Sequence, residues 1–568
     1  MKLKHAAVAG LLTFSNAAPI LAWQKNDEVN KFNGLNAEML AATDARDALN
    51  QVFDDALARE NYQALVYLGQ IGGEACAKLA PYLTAQDVHA RAAARKGAML
   101  CHDTELSDAL LAFPEALPAT AGDDYLYPAL GFSGGPAARK LLVEKVNAIK
   151  PGSPFNVGYP DNPRTMPLFG LLQSVVYDQM AAGDIDGLDF TNLLALTGEM
   201  GTAEAAAYLL TRFTELSTVL EQSAVEQAIS KADNVIVRTL LVRVLRQFGD
   251  PAAETLQALA GSEEMPVKLA ALRAMGYLSD PETMKSLVRA AGRGEDHTRQ
   301  VALTALGGRN AGAAIVVKKL KETLGDQNSW LATTALESLY AHSEGEAIRF
   351  ARIWLRREDY YKAFKAMSVL SRSDEGKAVL QAYADANPET NRGREAAIAL
   401  DPSIEAITAP RETPSIKLVV SYQKRELVLE TTRGTICVAP SSSAPYAAAN
   451  FMLLADAGRM DGMLWHRVIP NFVAQAGQTE DPEINKWGSI REEWFESNHQ
   501  IGTVGVATAG RDTGGTQFFI NTAYNIHLNG RYTVFGRVTK GLEAAFALEE
   551  GDLISKASTI KAGDEACQ

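Results

Sequence analysis

The sequence predicts a two-part chain, an N-terminal all-α solenoid followed by a closed antiparallel β-barrel capped by two helices. Three observations predict it. At 568 residues the chain is too long for one hydrophobic core, because single cores stop growing near ~250–300 residues. From about Ala37 to Ala399 it is rich in Ala and Leu and is broken every dozen or so residues by Gly, Asp or Pro, the texture of short antiparallel helices joined by tight turns. After Ser415, Val, Thr, Tyr and Phe become frequent and alternate with period two, the texture of strands. The boundaries that follow are a helical region over 37–400, a linker over 401–415, a β-rich domain over 416–560 and a tail over 561–568.

The helical part repeats. Val237–Leu245, closed by Asp250-Pro251, recurs as Val267–Met275, closed by Asp280-Pro281, and the register continues through Arg299–Gly307, Leu331–Leu339 and Tyr361–Leu370. Equivalent positions Leu245, Met275, Leu306, Leu339 and Leu370 therefore recur about every 30 residues, a period that signals stacked helix pairs. The recurring helix of apolar, Arg or Lys, Ala and Leu positions resembles HEAT-like repeats, and that resemblance implies a long concave surface for a protein partner. The stretch Ala119–Thr165, with many Gly, Pro and aromatic residues, reads as a loop excursion between two helical blocks. Inside it Gly131-Phe132-Ser133-Gly134-Gly135 fits a nucleophile-elbow pattern, but that motif needs a preceding buried strand and an α/β sheet, and neither is expected here.

In the β-rich part, strands are expected over Lys417–Tyr422, Leu427–Thr431, Thr435–Val438, Leu464–Ile469, Phe472–Gln475, Thr503–Ala507, Thr516–Asn521, Thr533–Val538 and Leu553–Ile560. One helix is expected from Pro445, a favoured first helical residue, to a stop at Gly458, and another over Leu542–Leu548. About eight antiparallel strands with helices plugging the ends describe a closed barrel.

Within it, His466-Arg467-Val468-Ile469-Pro470-Asn471-Phe472-Val473-Ala474-Gln475-Ala476-Gly477, then Gly514–Ile520 and Asn529–Val538, resemble in order and spacing the signature blocks of the cyclophilin-type peptidyl-prolyl cis/trans isomerases. The resemblance implies Arg467 as the catalytic group and Gln475 as the residue that orients it. It also implies Phe472, Val473, Phe519 and Leu528 as the proline slot, Ala507, Thr508 and Ala509 as the segment pairing with substrate backbone, and Gln517, His527 and Tyr532 around the groove. Strand alternation puts Gln517 and Phe519 on the groove face and Phe518 and Ile520 in the core. There are departures from the family pattern. His527 stands where many members carry Trp, Tyr532 replaces the groove histidine, Val473 the usual Met and Thr508 the usual Asn, while the segment Gln478–Lys486 is short and polar.

The chemistry needs neither a cofactor nor a metal. An Xaa-Pro bond rotates over ~18–20 kcal/mol because rotation destroys amide resonance, and a fixed cation can bind the twisted amide more tightly than either planar form. The metal reading also fails on spacing, since the eight histidines are scattered.

Composition bounds the partners. With 55 basic and 68 acidic residues the net charge is −13, which disfavours nucleic acid and anionic membranes. Proline-containing peptides or unfolded client proteins are the expected substrates, with a further protein partner on the repeats. The first residues read as a basic head, an apolar run over Ala6–Phe14 and a small-residue region ending at Ala22, the pattern of a secretory leader over 1–22. A periplasmic or secreted chaperone-like isomerase is therefore expected, and no later stretch is apolar enough to span a membrane. Four cysteines, Cys76, Cys101, Cys437 and Cys567, permit disulfides without requiring them. The competing function is a non-catalytic scaffold with a degenerate barrel. Arg467 together with Phe472, Gln475 and Phe519 favours the enzyme, because binding alone has no need of the arginine.

Overall fold

The computed structural model describes residues 35–44, 47–101, 105–112, 125–152, 165–176, 180–308, 313–357, 359–401, 415–477, 489–494 and 498–567. The expected leader over 1–22, most of the expected linker over 401–415 and the segment Gln478–Lys486 lie outside the described residues.

The helical half is a stack of helix pairs. Its inner layer is α1 (Val235–Leu245), α2 (Met265–Met275), α3 (Asp296–Gly307), α4 (Ser329–His342) and α5 (Tyr360–Leu370), each packed on the next. These are the periodic blocks, and they share a reason to be helices. Asn234, Asn328 and Asp359 cap first-turn amides with their side chains, and Val237, Leu241, Leu245 and their equivalents are buried at helical spacing. The region expected to be a loop excursion instead contains two helices, Leu126–Ser133 and Pro136–Ala148. Its glycines mark the turn between them: Gly134 (φ 73°) and Gly135 (φ 93°) adopt the left-handed backbone that glycine tolerates, and Pro136 starts the next helix. Ser133 ends a helix rather than a strand, so no nucleophile elbow forms.

The C-terminal half opens with a helix where a strand was expected. Residues Ile416–Tyr422 (α6) are helical because Ser415 caps the Leu418 amide, and Val419 and Tyr422, three residues apart, bury one face. This face packs on α7 (Pro445–Asp456). The strands are β1 (Arg425–Thr431), β2 (Gly434–Pro440), β3 (Arg467–Ile469), β4 (Val473–Ala476), β5 (Thr503–Val506), β6 (Phe518–Asn521), β7 (Val534–Lys540) and β8 (Ile554–Lys561), with α8 (Leu542–Ala547) between the last two. They form one antiparallel sheet in the order β8-β1-β2-β7-β5-β6-β4-β3.

The sheet curls but does not close, which corrects the expected barrel. Among the described residues its two edges meet ahead of the edge strands, where Leu464 bridges Leu553 and the Trp465 amide donates to the Asp552 carbonyl (2.9 Å). Closure stops there because the next edge amide, Val468 N–H, donates to the Glu550 carboxylate (3.0 Å) and not to a strand. Phe451, Phe518, Phe535 and Trp465 fill the concave side.

The two halves are docked along much of the stack. Arg511 donates to the Gln70 carbonyl, and Arg531 donates through Nε to Gln173 (2.8 Å) while lying 5.0 Å over the Phe132 ring. Further along, His297 Nε2 meets the Leu548 carbonyl (3.0 Å), Asn328 donates to Glu549 (2.7 Å) and Lys365 pairs with Glu550 (2.9 Å).

All four cysteines are paired, as Cys76–Cys101, with Cα atoms 6.0 Å apart, and Cys437–Cys567, with Cα atoms 5.8 Å apart. The second ties the C-terminal turn to β2 across 130 residues. Replacing both Cys437 and Cys567 by Ser should lower the unfolding free energy by about 2–5 kcal/mol, read from the denaturant midpoint, because closing so long a loop restricts the unfolded chain.

Candidate active site

Four adjacent strands bring the signature residues into one row. Arg467 on β3 stands opposite Gln475 on β4, Gln475 opposite Phe519 on β6, and Phe519 opposite Gly505 on β5. Directly opposed side chains share a face. A Cβ on Gly505 would come within 2.5 Å of the Phe519 ring, so the glycine is what lets that ring lie over β5. Phe518 and Ile520 point the other way, into the core, as alternation requires.

The row is wired by hydrogen bonds. Arg467 Nη1 donates to Gln475 Oε1 (3.1 Å), and Gln475 Nε2 donates to Gln517 Oε1 (2.9 Å). The Arg467 guanidinium carbon lies 5.7 Å from the Phe472 ring centroid, within cation–π range. Beside this row Val473, Phe519 and Leu528 form a buried apolar cluster separate from the core, with Phe472, Ala507 and Tyr532 against it. An apolar slot bordered by an exposed guanidinium is the result.

Ala507 packs against the slot, but two amides of the segment Ala507–Ala509 are engaged within the domain. Ala507 N–H donates to the Gln517 carbonyl (3.0 Å) and Ala509 N–H to Thr513 Oγ1 (2.8 Å). Thr508 is half-buried between them.

Histidines support the slot without bearing charge. His499 is fully buried and stacks on Phe519, with ring centroids 5.6 Å apart. Its Nδ1 faces the Asn521 amide (3.2 Å) and its Nε2 the Tyr532 carbonyl (3.1 Å), which assigns the neutral tautomer with the proton on Nε2. Burial lowers its pKa to about 4. His527 lies between two aromatic rings, Phe472 on its own domain (5.7 Å) and Tyr208 on the helical array (5.1 Å). Burial, with smaller contributions from His499 and nearby arginines, lowers its pKa to about 3. Burial also raises the pKa of the Tyr208 hydroxyl, which hydrogen-bonds with His527 Nδ1 (2.7 Å).

A family model described as cyclophilin type peptidyl-prolyl cis-trans isomerase/CLD matches residues 427–563, and one described as HEAT repeats matches residues 222–307. Peptidyl-prolyl cis-trans isomerase B of Bacillus subtilis is 44% identical over 117 residues, which is 20% of this chain and 82% of that protein. The peptidyl-prolyl cis-trans isomerase of Helicobacter pylori J99 is 35% identical over 153 residues, 26% of this chain and 93% of that protein. That of Synechococcus elongatus is 38% identical over 133 residues, 23% of this chain and 92% of that protein.

The chain belongs to the cyclophilin-type isomerases. Its cyclophilin domain shares the groove with residues that the signature does not reach. Asn471, in the left-handed conformation (φ 60°), accepts at its carbonyl from Arg243 Nη2 (3.0 Å), and its side chain donates to the Pro266 carbonyl (2.8 Å). The Pro470 carbonyl accepts from Arg273 Nη2 (3.2 Å). Glu550, which holds the Val468 amide next to Arg467, also receives Lys365 and the Tyr361 hydroxyl from α5. Burial would lower the Lys365 pKa, but Glu550 and Glu337 outweigh it and hold Lys365 above its usual range. One sequence signal pointed toward the array: Arg243 and Arg273 are 30 residues apart, in the same column of the repeat.

Because His499 is held neutral, the folded state binds its proton less readily than the unfolded chain does. Its stabilisation is present above the unfolded pKa, near 6.5, and is lost as pH falls toward about 4. Denaturation series between pH 7.5 and 4.5 should show stability dropping with acid. His499→Phe, which keeps a stacking ring, should reduce that slope by up to ~1.4 kcal/mol per pH unit.

Proposed function

We propose that this chain is an exported peptidyl-prolyl isomerase in which Arg467 is the catalytic group and the helical array presents client protein to the groove. The observation that carries the reading is the row Arg467, Gln475 and Phe519 beside the Val473–Phe519–Leu528 slot. A proline ring in that slot sets the preceding amide beside the guanidinium. As the amide twists, conjugation is lost and electron density returns to the prolyl nitrogen, which becomes a hydrogen-bond acceptor. A charged donor already in place stabilises that form more than either planar isomer. Gln475 supports the role by engaging one Arg467 nitrogen and leaving the rest of the fork free to turn toward substrate. No covalent bond forms and no proton needs to move, which suits a site whose histidines are uncharged.

Two features support export. The first residues have the three regions of a secretory leader, and both cysteine pairs are bonded, as is common in oxidising compartments and rare in the cytosol. The repeats support client binding by their docking next to the groove, which gives an extended chain a second surface to follow.

Arg467→Ala should reduce kcat/KM on an Ala-Pro peptide by roughly 100- to 1000-fold, as loss of a comparable transition-state donor does, and Arg467→Lys should recover little because an ammonium lacks the planar fork. Thermal melts run alongside show whether the variant is folded, and a folded Arg467→Ala protein of near wild-type activity refutes the catalytic role. Intact-mass measurement on protein recovered from native cells should find the mature chain beginning near Trp23, outside the cytoplasm. A cytoplasmic pool that retains Met1 would contradict export.

A further inference from the structure

The wall between the slot and the helical array is a cleft of about 360 Å3. Phe472 and His527 line it from the cyclophilin domain, and Arg212, Arg243, Arg246 and Arg273 line it from the array. Phe472 is also a wall of the proline slot, so the two spaces adjoin across one ring.

The four arginines are under-used. Each guanidinium offers five N–H donors. Arg243 and Arg273 each spend one nitrogen on a main-chain carbonyl, Arg246 rests on the Tyr277 ring at 4.8 Å, and Arg212 engages the Tyr208 hydroxyl. Nε of Arg212 and Nε of Arg243 are shielded from solvent and have no hydrogen-bond partner. Among the described residues none of the four pairs with a carboxylate, although the chain as a whole carries 68 acidic residues against 55 basic. Burial, and then repulsion from Arg243, lowers the Arg273 pKa to about 10. Like charges gathered around a cleft, with donors left over, are arranged to receive an anion.

We propose that this cleft is a specificity subsite for an acidic side chain of the client, Asp or Glu, close in sequence to the proline being isomerised. The proposal rests on the isomerase reading of the groove. It makes the array part of the substrate site, with Arg212 and Arg246 as the arginines that no domain contact already occupies. An overall charge of −13 repels acidic peptides, so a preference for them must originate locally.

The test uses the full-length chain and a set of Xaa-Pro peptides in which a single Glu or Gln is stepped from four residues before the proline to four after it. At low salt, kcat/KM for Glu should exceed that for Gln by about tenfold at one or two adjacent positions, the size of a charge-assisted hydrogen bond at a partly buried site, and the ratio should fall as salt is raised. The Arg212→Gln, Arg246→Gln protein should bring the ratio near one. If that protein melts early, the salt dependence of the wild-type ratio and the milder Arg246→Gln variant alone decide the matter. A wild-type ratio near one at every position overturns the subsite while leaving the isomerase reading intact. A preference that survives in a folded double variant overturns it too, and absence of activity on every peptide refutes the isomerase reading itself.

Discussion

Arg243 and Arg273, on successive repeats, reach across to the carbonyls of Asn471 and Pro470, and the Asn471 amide reaches back to Pro266. The turn they hold joins β3 to β4, so its position sets where Arg467 stands relative to Gln475 and where the Phe472 ring faces. A second anchor lies on the other side of Arg467, where Glu550 takes the Val468 amide and is itself gripped by Lys365 and Tyr361. Lys365 and Glu550 are both largely buried, so loss of either partner strands a charge, a change that typically costs about 3–5 kcal/mol. The groove is thus held between α1 and α2 on one side and α5 on the other. Its geometry is a property of both halves of the chain.

The curled sheet separates two apolar spaces of different purpose. Residues of one parity pack inward as core, and Val473 and Phe519, of the other parity, form the small outer slot. Gly505 and His499 fit the slot to its ring, the first by having no side chain and the second by stacking while uncharged. A charged imidazole there would face desolvation with a carbonyl and an amide as its neighbours, and its depressed pKa records that cost.

Much of this was legible in the sequence. Signature spacing identified the row, and alternation placed Phe518 and Phe519 on opposite faces, because both are local regularities. The helix at Ile416–Tyr422 was misread since Val419 and Val420 favour strands, whereas Ser415 and burial of one face against α7 decided the outcome. Closure of the sheet was over-read. It depends on whether the edge amide of Val468 meets a strand or the Glu550 side chain, and no periodic pattern reports that choice. Glu550, His499 and Tyr208 were missed because each acts through a partner far away in sequence. The arginine column was visible in the repeat, but period alone does not say which face of a stack meets another domain.

The docking contacts have an implication for assembly. Contacts from the array are drawn from Gln70 to Lys365, and every strand of the large sheet lies beyond residue 424. Synthesis from the N-terminus therefore completes the array before the first of those strands exists, and local helix pairing is fast compared with strand pairing between β1 and β8 across more than 120 residues. The sheet is born beside a finished wall that already displays the donors for its most exacting turn. The array is therefore in place to act as a template for the isomerase domain of the same chain.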